Sequence, residues 1–121
     1  MNTTTLAAAK RPTRRAFSDG LVKYGEVNRD FFVLEADIGF STYTYLFEEK
    51  FPERYFNLGI AELGMFAAAA GIAANGRTVV TSSYGVFITM RALEVVRSFI
   101  CYPNLDVKIL SSHGGITAAI D

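Results

Sequence analysis

Glu62 is the only charged residue between Arg54 and Arg77, and it begins the most apolar segment of the chain. Burial in such a segment disfavours an ionised carboxyl, so a carboxyl here can hold or share a proton near neutral pH. An acid catalyst or a strong hydrogen-bond partner needs this property. The first turn of a helix also suits a negative charge, and position alone favours that structural role over the catalytic one.

Two other polar residues follow apolar runs that are typical of strands. Asp37 ends the run FFVLEA and precedes a glycine and the hydroxyl side chains of Ser41 and Thr42. His113 is the only histidine, and it lies in the glycine-containing segment SSHGG. Both positions suit a ligand contact, although a turn-forming aspartate and a structural or solvated histidine explain them equally well.

Tyr84 and Phe87 have the spacing that places two side chains on one face of a helix. Such a pair can form a flat apolar wall against a ligand, or it can simply belong to the core. Arg14 and Arg15 belong to a basic N-terminal stretch, which predicts either a solvated tail or a phosphate contact. No His or Cys spacing is typical of a metal site, so we expect no metal ligands in this chain.

Composition limits the classes of function. The chain has 121 residues, enough for one domain, and 50% of them are hydrophobic, which predicts a buried core. The formal net charge is zero, so broad attraction to nucleic acid or anionic membranes is not expected. Cys101, the single cysteine, lies in an apolar run and is expected to be a small core residue. A reducing, cytoplasmic location fits a chain that cannot form an internal disulfide.

Helical and strand patterns alternate along the chain after residues 1–12, which we interpret as a flexible leader. Thr13 is expected to cap the first helix. The predicted helices are 14–28, 43–50, 61–75 and 86–102, and the predicted strands are 31–36, 54–58, 77–83 and 105–110, with a loop at 38–42. Helix 61–75 is so uniformly apolar that we expect burial on all its faces.

This alternation predicts an α/β layer fold with a mostly parallel sheet, because parallel neighbours need crossover connections. In such sheets, ligands bind beyond the carboxyl ends of the strands. The rule selects four segments as the expected site: residues 37–41, 59–62, 82–87 and 111–117.

Five segments in this order carry a more specific pattern. They are EADIGFS at 35–41, FPERYFNLGIAE at 51–62, AGIA at 70–73, SSYGVF at 82–87, and YPNLDVK at 102–108 leading to SHGGI at 112–116. Together they resemble the pyrimidine-binding domain of transketolases, the thiamine diphosphate enzymes that move two-carbon ketol units between sugars. The resemblance implies a three-layer α/β/α thiamine diphosphate-binding fold over residues 13–121, incomplete at the C-terminus.

The resemblance also implies roles for residues near the cofactor. Glu62 matches the glutamate that hydrogen-bonds the ring nitrogen of the aminopyrimidine and promotes its active tautomer. Tyr84 and Phe87 match the aromatic pair that packs on that ring, and Asp37 matches an acidic residue near the cofactor.

Four residues match contacts of the family to its substrates. His113 and Asp121 match contacts to substrate hydroxyls, and His113 joins Glu62 as an expected catalytic residue. Arg14 and Ser41 match positions that contact the sugar phosphate.

Some residues depart from the family pattern. Leu63 and Gly64 replace the usual Gln and Asn, and Ala119 and Ile120 replace the usual Gly and Glu. These changes lie near the site, so the cofactor chemistry is retained while a non-standard ketose or a modified sugar phosphate becomes an option.

The family binds the diphosphate and a Mg²⁺ or Ca²⁺ ion through a separate domain with a Gly-Asp-Gly motif, which these residues lack. We therefore expect a diphosphate-binding partner, as in split transketolases, in a dimer of heterodimers acting on sugar phosphates. The alternatives are a relative of 1-deoxyxylulose-5-phosphate synthase, a 2-oxo acid dehydrogenase beta subunit, or an inactive scaffold subunit.

Overall fold

A computed structural model of the chain describes residues 11–116. Helices and strands alternate, as the sequence predicts. The helices are α1 (Thr13–Val27), α2 (Gly39–Thr42), α3 (Tyr45–Lys50), α4 (Glu62–Ala74) and α5 (residues 85–101, with π-helical turns at Ile88–Ala92 and Val96–Cys101). The strands are β1 (Phe31–Glu35), β2 (Tyr55–Asn57), β3 (Thr78–Tyr84) and β4 (Val107–Ser112).

The four strands form one sheet in the order β2-β1-β3-β4, and every neighbouring pair is parallel. Helices cover both faces of this sheet. On one face, α4 and α5 pack over Leu34 and Val79. On the other, buried residues of α1 and α3 pack over Phe31, Val33 and Val80. The predicted α/β class with three layers is confirmed.

Three local expectations were wrong. Residues 39–42 form the short helix α2 instead of a loop, because Asp37 adopts a left-handed conformation (φ 64°) that turns the chain directly into a helical turn. Strand β4 begins two residues later than expected. Thr13 is the first residue of α1, whose cap position is Pro12, and it makes no capping hydrogen bond.

Two burial expectations were also wrong. Helix α4 buries only one face, because its buried positions recur every three or four residues. The sequence could not show which face is buried, since all faces of this helix have a similar apolar composition. The buried residues of α4 are Glu62, Met65, Phe66, Ala69, Ala70 and Ala73. Cys101 is exposed, since Val96 and Ile100 take the inward positions at this end of α5.

None of the helices in the described part of the chain is long and apolar enough to cross a membrane. The expected leader lies almost wholly outside residues 11–116, so it stays a prediction.

Candidate functional site

The carboxyl ends of the four strands meet at one edge of the sheet, where the predicted site residues collect. Register pairs Glu35 at the end of β1 with Asn57 of β2 and Ser82 of β3, and it pairs Tyr84 of β3 with Ser112 of β4. Side chains that are far apart in sequence therefore become neighbours along this edge.

His113 directly follows β4 and lies between Arg14 and Tyr84. Nη1 of Arg14 is 2.6 Å from Nε2 of His113, and Oγ of Ser112 is 2.8 Å from Nδ1. Because a guanidinium can only donate, Nε2 accepts, and a neutral imidazole then carries its proton on Nδ1. The centroid of the Tyr84 ring lies 4.2 Å from that of His113. An open cavity of about 690 Å³ adjoins Arg14 and His113, with Phe17 in its wall.

Tyr84 links this group to the rest of the site. Its hydroxyl is 2.6 Å from Oγ of Ser41, so α2 is tied to the end of β3. Its ring stacks on Phe87, with centroids 5.4 Å apart and planes inclined by 25°. The two rings thus stack on each other at the carboxyl edge of the sheet.

Glu62 begins α4, and its side chain is 3% exposed. One carboxylate oxygen, Oε2, lies 3.2 Å from Nη1 of Arg91. The Arg91 guanidinium also lies 5.0 Å from the centroid of the Phe87 ring, so it connects the carboxylate to the aromatic pair. Arg91 was absent from the residues predicted from sequence, although its spacing of four from Phe87 on a helix could have indicated it.

Asp37 lies on the β2 side of the same edge. Its exposed carboxylate accepts a hydrogen bond from Nδ2 of Asn57 at 3.1 Å. Ser41, Phe87 and His113 contact Tyr84 at the end of β3, whereas Glu62 is linked to this group through Arg91. Asp121 lies outside the described residues, so its assignment stays a prediction.

Glu35 is a fully buried carboxyl at this edge that the sequence analysis did not select. Oε1 accepts a hydrogen bond from the backbone N–H of Ile38. Burial raises the pKa of Glu35 above its ordinary value of 4.5, against the lowering effect of hydrogen bonds from the backbone of residues 37–39. Burial likewise raises the pKa of nearby Tyr55, so this phenol stays neutral and can interact with Thr44 as a hydrogen-bonding group.

The raised pKa of Glu35 predicts a pH-dependent stability. Below the ordinary pKa, the Glu35 carboxyl is protonated in both the folded and the unfolded state, so burying it costs no free energy of protonation. As the pH rises towards the folded-state pKa, the carboxyl releases its proton first in the unfolded state, so the free energy of unfolding decreases. A Glu35→Gln variant has no such proton, so its stability relative to wild type should increase as the pH rises above the ordinary pKa of 4.5. Urea denaturation at several pH values measures this difference, and a difference constant with pH would contradict the prediction.

The chain matches a known protein family over most of its length. Residues 9–121 match the family described as "Transketolase, pyrimidine binding domain". The chain belongs to this family.

The relatives of this transketolase domain include one named as a section and one named as a subunit of a transketolase. A protein from Methanocaldococcus jannaschii named as a transketolase C-terminal section is 40% identical over 116 residues, which are 96% of this chain and 37% of that protein. A 6-deoxy-6-sulfo-D-fructose transketolase subunit from Clostridium is 32% identical, covering 89% of this chain and 34% of the subunit. A 1-deoxy-D-xylulose-5-phosphate synthase from Corynebacterium diphtheriae is 36% identical over 103 residues, which are 85% of this chain and 16% of the synthase.

A solved structure described as "Split gene transketolase, inactive beta4 tetramer" has a TM-score of 0.75 to this chain and 44% sequence identity. The match covers 82% of this chain and 33% of the other. The transketolase domain described here thus spans about a third of the length of the first two relatives and of this structural neighbour.

The family implies dependence on thiamine diphosphate, and the residues at the site fit one end of that molecule. A stacked aromatic pair suits a flat pyrimidine ring, and the buried Glu62 carboxyl, linked to the pair through Arg91, suits a hydrogen bond to a ring nitrogen. Within residues 11–116, no three His, Cys, Asp or Glu side chains come together in a group that could hold a metal ion.

Proposed function

We propose that this chain supplies the pyrimidine-binding half of a thiamine diphosphate-dependent transketolase. The whole enzyme would transfer a two-carbon ketol unit from a ketose or ketose phosphate to an aldose or aldose phosphate. The observation that carries this proposal is the buried Glu62 carboxyl, connected through Arg91 to the stacked Tyr84–Phe87 pair at the carboxyl edge of a parallel sheet.

In this proposal, Glu62 hydrogen-bonds the ring nitrogen of the aminopyrimidine and holds or shares the proton there. Tyr84 and Phe87 pack against the ring and exclude water from the bond, which strengthens it. Asp37 lies near the cofactor on the β2 side. When bound, thiamine diphosphate supplies the nucleophilic carbon that cleaves the ketose and carries the two-carbon unit.

The substrate half of the proposal involves the Arg14–His113 pair. His113 and Asp121 would contact sugar hydroxyls, and Arg14 and Ser41 would contact the phosphate. Arg14 suits this role because a guanidinium can donate two parallel hydrogen bonds to a phosphate. Its 2.6 Å contact to Nε2 of His113 keeps both side chains at the mouth of the same cavity.

We further propose that a diphosphate-binding subunit completes the site, holds the diphosphate and its Mg²⁺ or Ca²⁺ ion, and assembles with this chain as a dimer of heterodimers. The surface around Glu62 is apolar, which is typical of an interface with a partner. The side chains of Ile60, Leu63 and Met90 are exposed by 75%, 56% and 80%. The comparisons also support the need for a partner. One relative is named as a C-terminal section and another as a subunit, and the structural neighbour is described as an inactive tetramer.

A ketol-transfer assay tests this function. The complete protein is mixed with the diphosphate-binding subunit of its organism, thiamine diphosphate and Mg²⁺, and offered a ketose phosphate donor with an aldose phosphate acceptor. Transfer that depends on both subunits and on the cofactor is expected. Turnover only with pyruvate as donor would indicate the 1-deoxyxylulose-5-phosphate synthase class instead, and no turnover with either donor would indicate an inactive scaffold.

Tyr84 allows a graded test of the aromatic surface. Tyr84→Ala should weaken thiamine diphosphate binding by about tenfold, because stacking on a base-like ring is worth about 1–3 kcal/mol. Tyr84→Phe retains the ring and loses only the contact to Ser41, so its affinity should stay within about threefold of wild type. Calorimetric titration of the assembled complex measures both values, and equal losses in the two variants would show that the ring is not the contact.

A further inference from the structure

Glu35 holds the segment that carries two of the expected ligand contacts. The backbone N–H groups of residues 37–39 turn towards its carboxyl, and that of Ile38 donates to Oε1. This carboxyl is fully buried. Its other oxygen, Oε2, has no hydrogen-bond partner among the described residues, and neither has the buried hydroxyl of Ser82, which pairs with Glu35 in register. Ser82 on the neighbouring strand therefore gives the carboxyl no hydrogen bond, and the hydrogen bonds of the carboxyl come from the backbone of residues 37–39.

The backbone of this segment needs such a restraint. Asp37 has φ 64°, a left-handed conformation that a residue with a side chain adopts at a cost unless its surroundings enforce it. Gly39 then passes so close to Tyr55 that an added Cβ would clash with the phenol oxygen. Both features fix where α2 begins, and Oε2 of Glu35 also lies within 3.4 Å of a Cβ added at Gly39.

The same segment carries side chains that reach the site. Asp37 points its carboxylate to Asn57 on the β2 side, and Ser41 contacts the Tyr84 hydroxyl at 2.6 Å on the β3 side. If the hydrogen bonds to Glu35 were lost, Asp37 and Ser41 would both be released, and with them the hydroxyl contact of Tyr84.

We propose that Glu35 is a positioning residue, which uses its buried carboxyl to clamp the backbone of residues 37–39 and thereby aims Asp37 and Ser41 at the ligands. The proposal rests on the proposed function for what those two side chains bind. The clamp itself depends only on contacts within this chain.

Three variants separate positioning from general stability. Glu35→Gln keeps an acceptor at Oε1, and Glu35→Leu has a similar shape without an acceptor. Glu35→Asp keeps the carboxyl but is too short to reach. Glu49→Gln, on the exposed end of α3, is the matched control. Amide hydrogen exchange at Ile38 and Gly39 is measured in the complete protein assembled with its diphosphate-binding partner, together with the Kd for thiamine diphosphate and the KM for the ketose donor.

We expect exchange at Ile38 and Gly39 to be at least about tenfold faster in the Leu and Asp variants, with Kd and KM raised by about tenfold or more. The Gln variant should stay near wild type in all three values. Should Glu35→Leu fail to fold, Glu35→Asp gives the same comparison. Unchanged exchange in a folded Leu or Asp variant would overturn the clamp, and faster exchange with unchanged Kd and KM would overturn its positioning role. If wild type itself binds no thiamine diphosphate, the proposed function fails while the exchange data still decide the clamp.

Discussion

Replacing Glu62 by Gln is expected to lower the turnover of the assembled complex by about 10²- to 10⁴-fold, the range that proton transfer by a positioned side chain contributes. The two side chains have nearly the same shape, so packing at the start of α4 is preserved. The amide cannot hold or release a proton for the ring nitrogen, and it also loses the ion pair with Arg91. The decrease in turnover should therefore appear in kcat. The thermal stability of the complex should be almost unchanged.

Glu94→Gln is the matched control for this experiment. Glu94 is an exposed residue of α5 whose carboxylate accepts a hydrogen bond from Ser98, so its replacement should leave turnover within about twofold of wild type. The measurement is steady-state ketol transfer at saturating cofactor. Equal turnover in Glu62→Gln and Glu94→Gln would remove Glu62 from the proton-handling role.

Replacing Arg54 by Met should reduce the free energy of unfolding by about 2–4 kcal/mol, which makes it the largest stability effect that we expect. Arg54 is a buried cation between α1 and α3. Nη1 donates to the carbonyl oxygen of Asn28 at 2.8 Å, and Nη2 donates to that of Gly25 at 3.0 Å. Its guanidinium also lies 4.1 Å from the centroid of the Phe51 ring. Methionine can fill much of the volume, but it leaves both carbonyl groups without these donors.

Arg77→Met provides the comparison for Arg54→Met. Arg77 is about half exposed and pairs with Asp30 at the surface, where an ion pair contributes about 0–1 kcal/mol. Chemical denaturation of the two variants measures the difference between a buried and an exposed arginine. Similar losses in both would contradict the contribution assigned to the buried hydrogen bonds of Arg54.

Sequence patterns could predict the fold class because strand-like and helix-like segments alternate along the chain, several of them bounded by glycine or proline. They could also predict Glu62, since a single charge in a long apolar segment is conspicuous without any knowledge of its neighbours. The short separation of Tyr84 and Phe87 indicated a pair, but the reason differs from the expected one, because Tyr84 ends β3 and only Phe87 lies on the helix. These are local properties of the chain.

The partners of Arg91 and Glu35 are not contained in any local pattern, although spacing and period could have drawn attention to both residues. An arginine on a half-exposed helix usually interacts with solvent, and only the approach of α5 to the start of α4 gives Arg91 its partner, Glu62. Glu35 could have been detected by its period, because Phe31, Val33 and Glu35 lie on one face of β1, the face that the core requires. The helix at residues 39–42 could not have been detected from the sequence, since it depends on the backbone conformation of Asp37 and on the Glu35 carboxyl.

The central claim is that this chain provides half of a thiamine diphosphate site. Calorimetric titration of thiamine diphosphate with Mg²⁺ tests it most directly, applied to the complete protein alone, to the diphosphate-binding subunit alone, and to their mixture, with circular dichroism to verify that each is folded. We predict saturable binding only in the mixture, and weaker binding when the mixture contains Tyr84→Ala. Tight binding by the folded protein alone, or binding by the mixture that Tyr84→Ala leaves unchanged, would contradict the account.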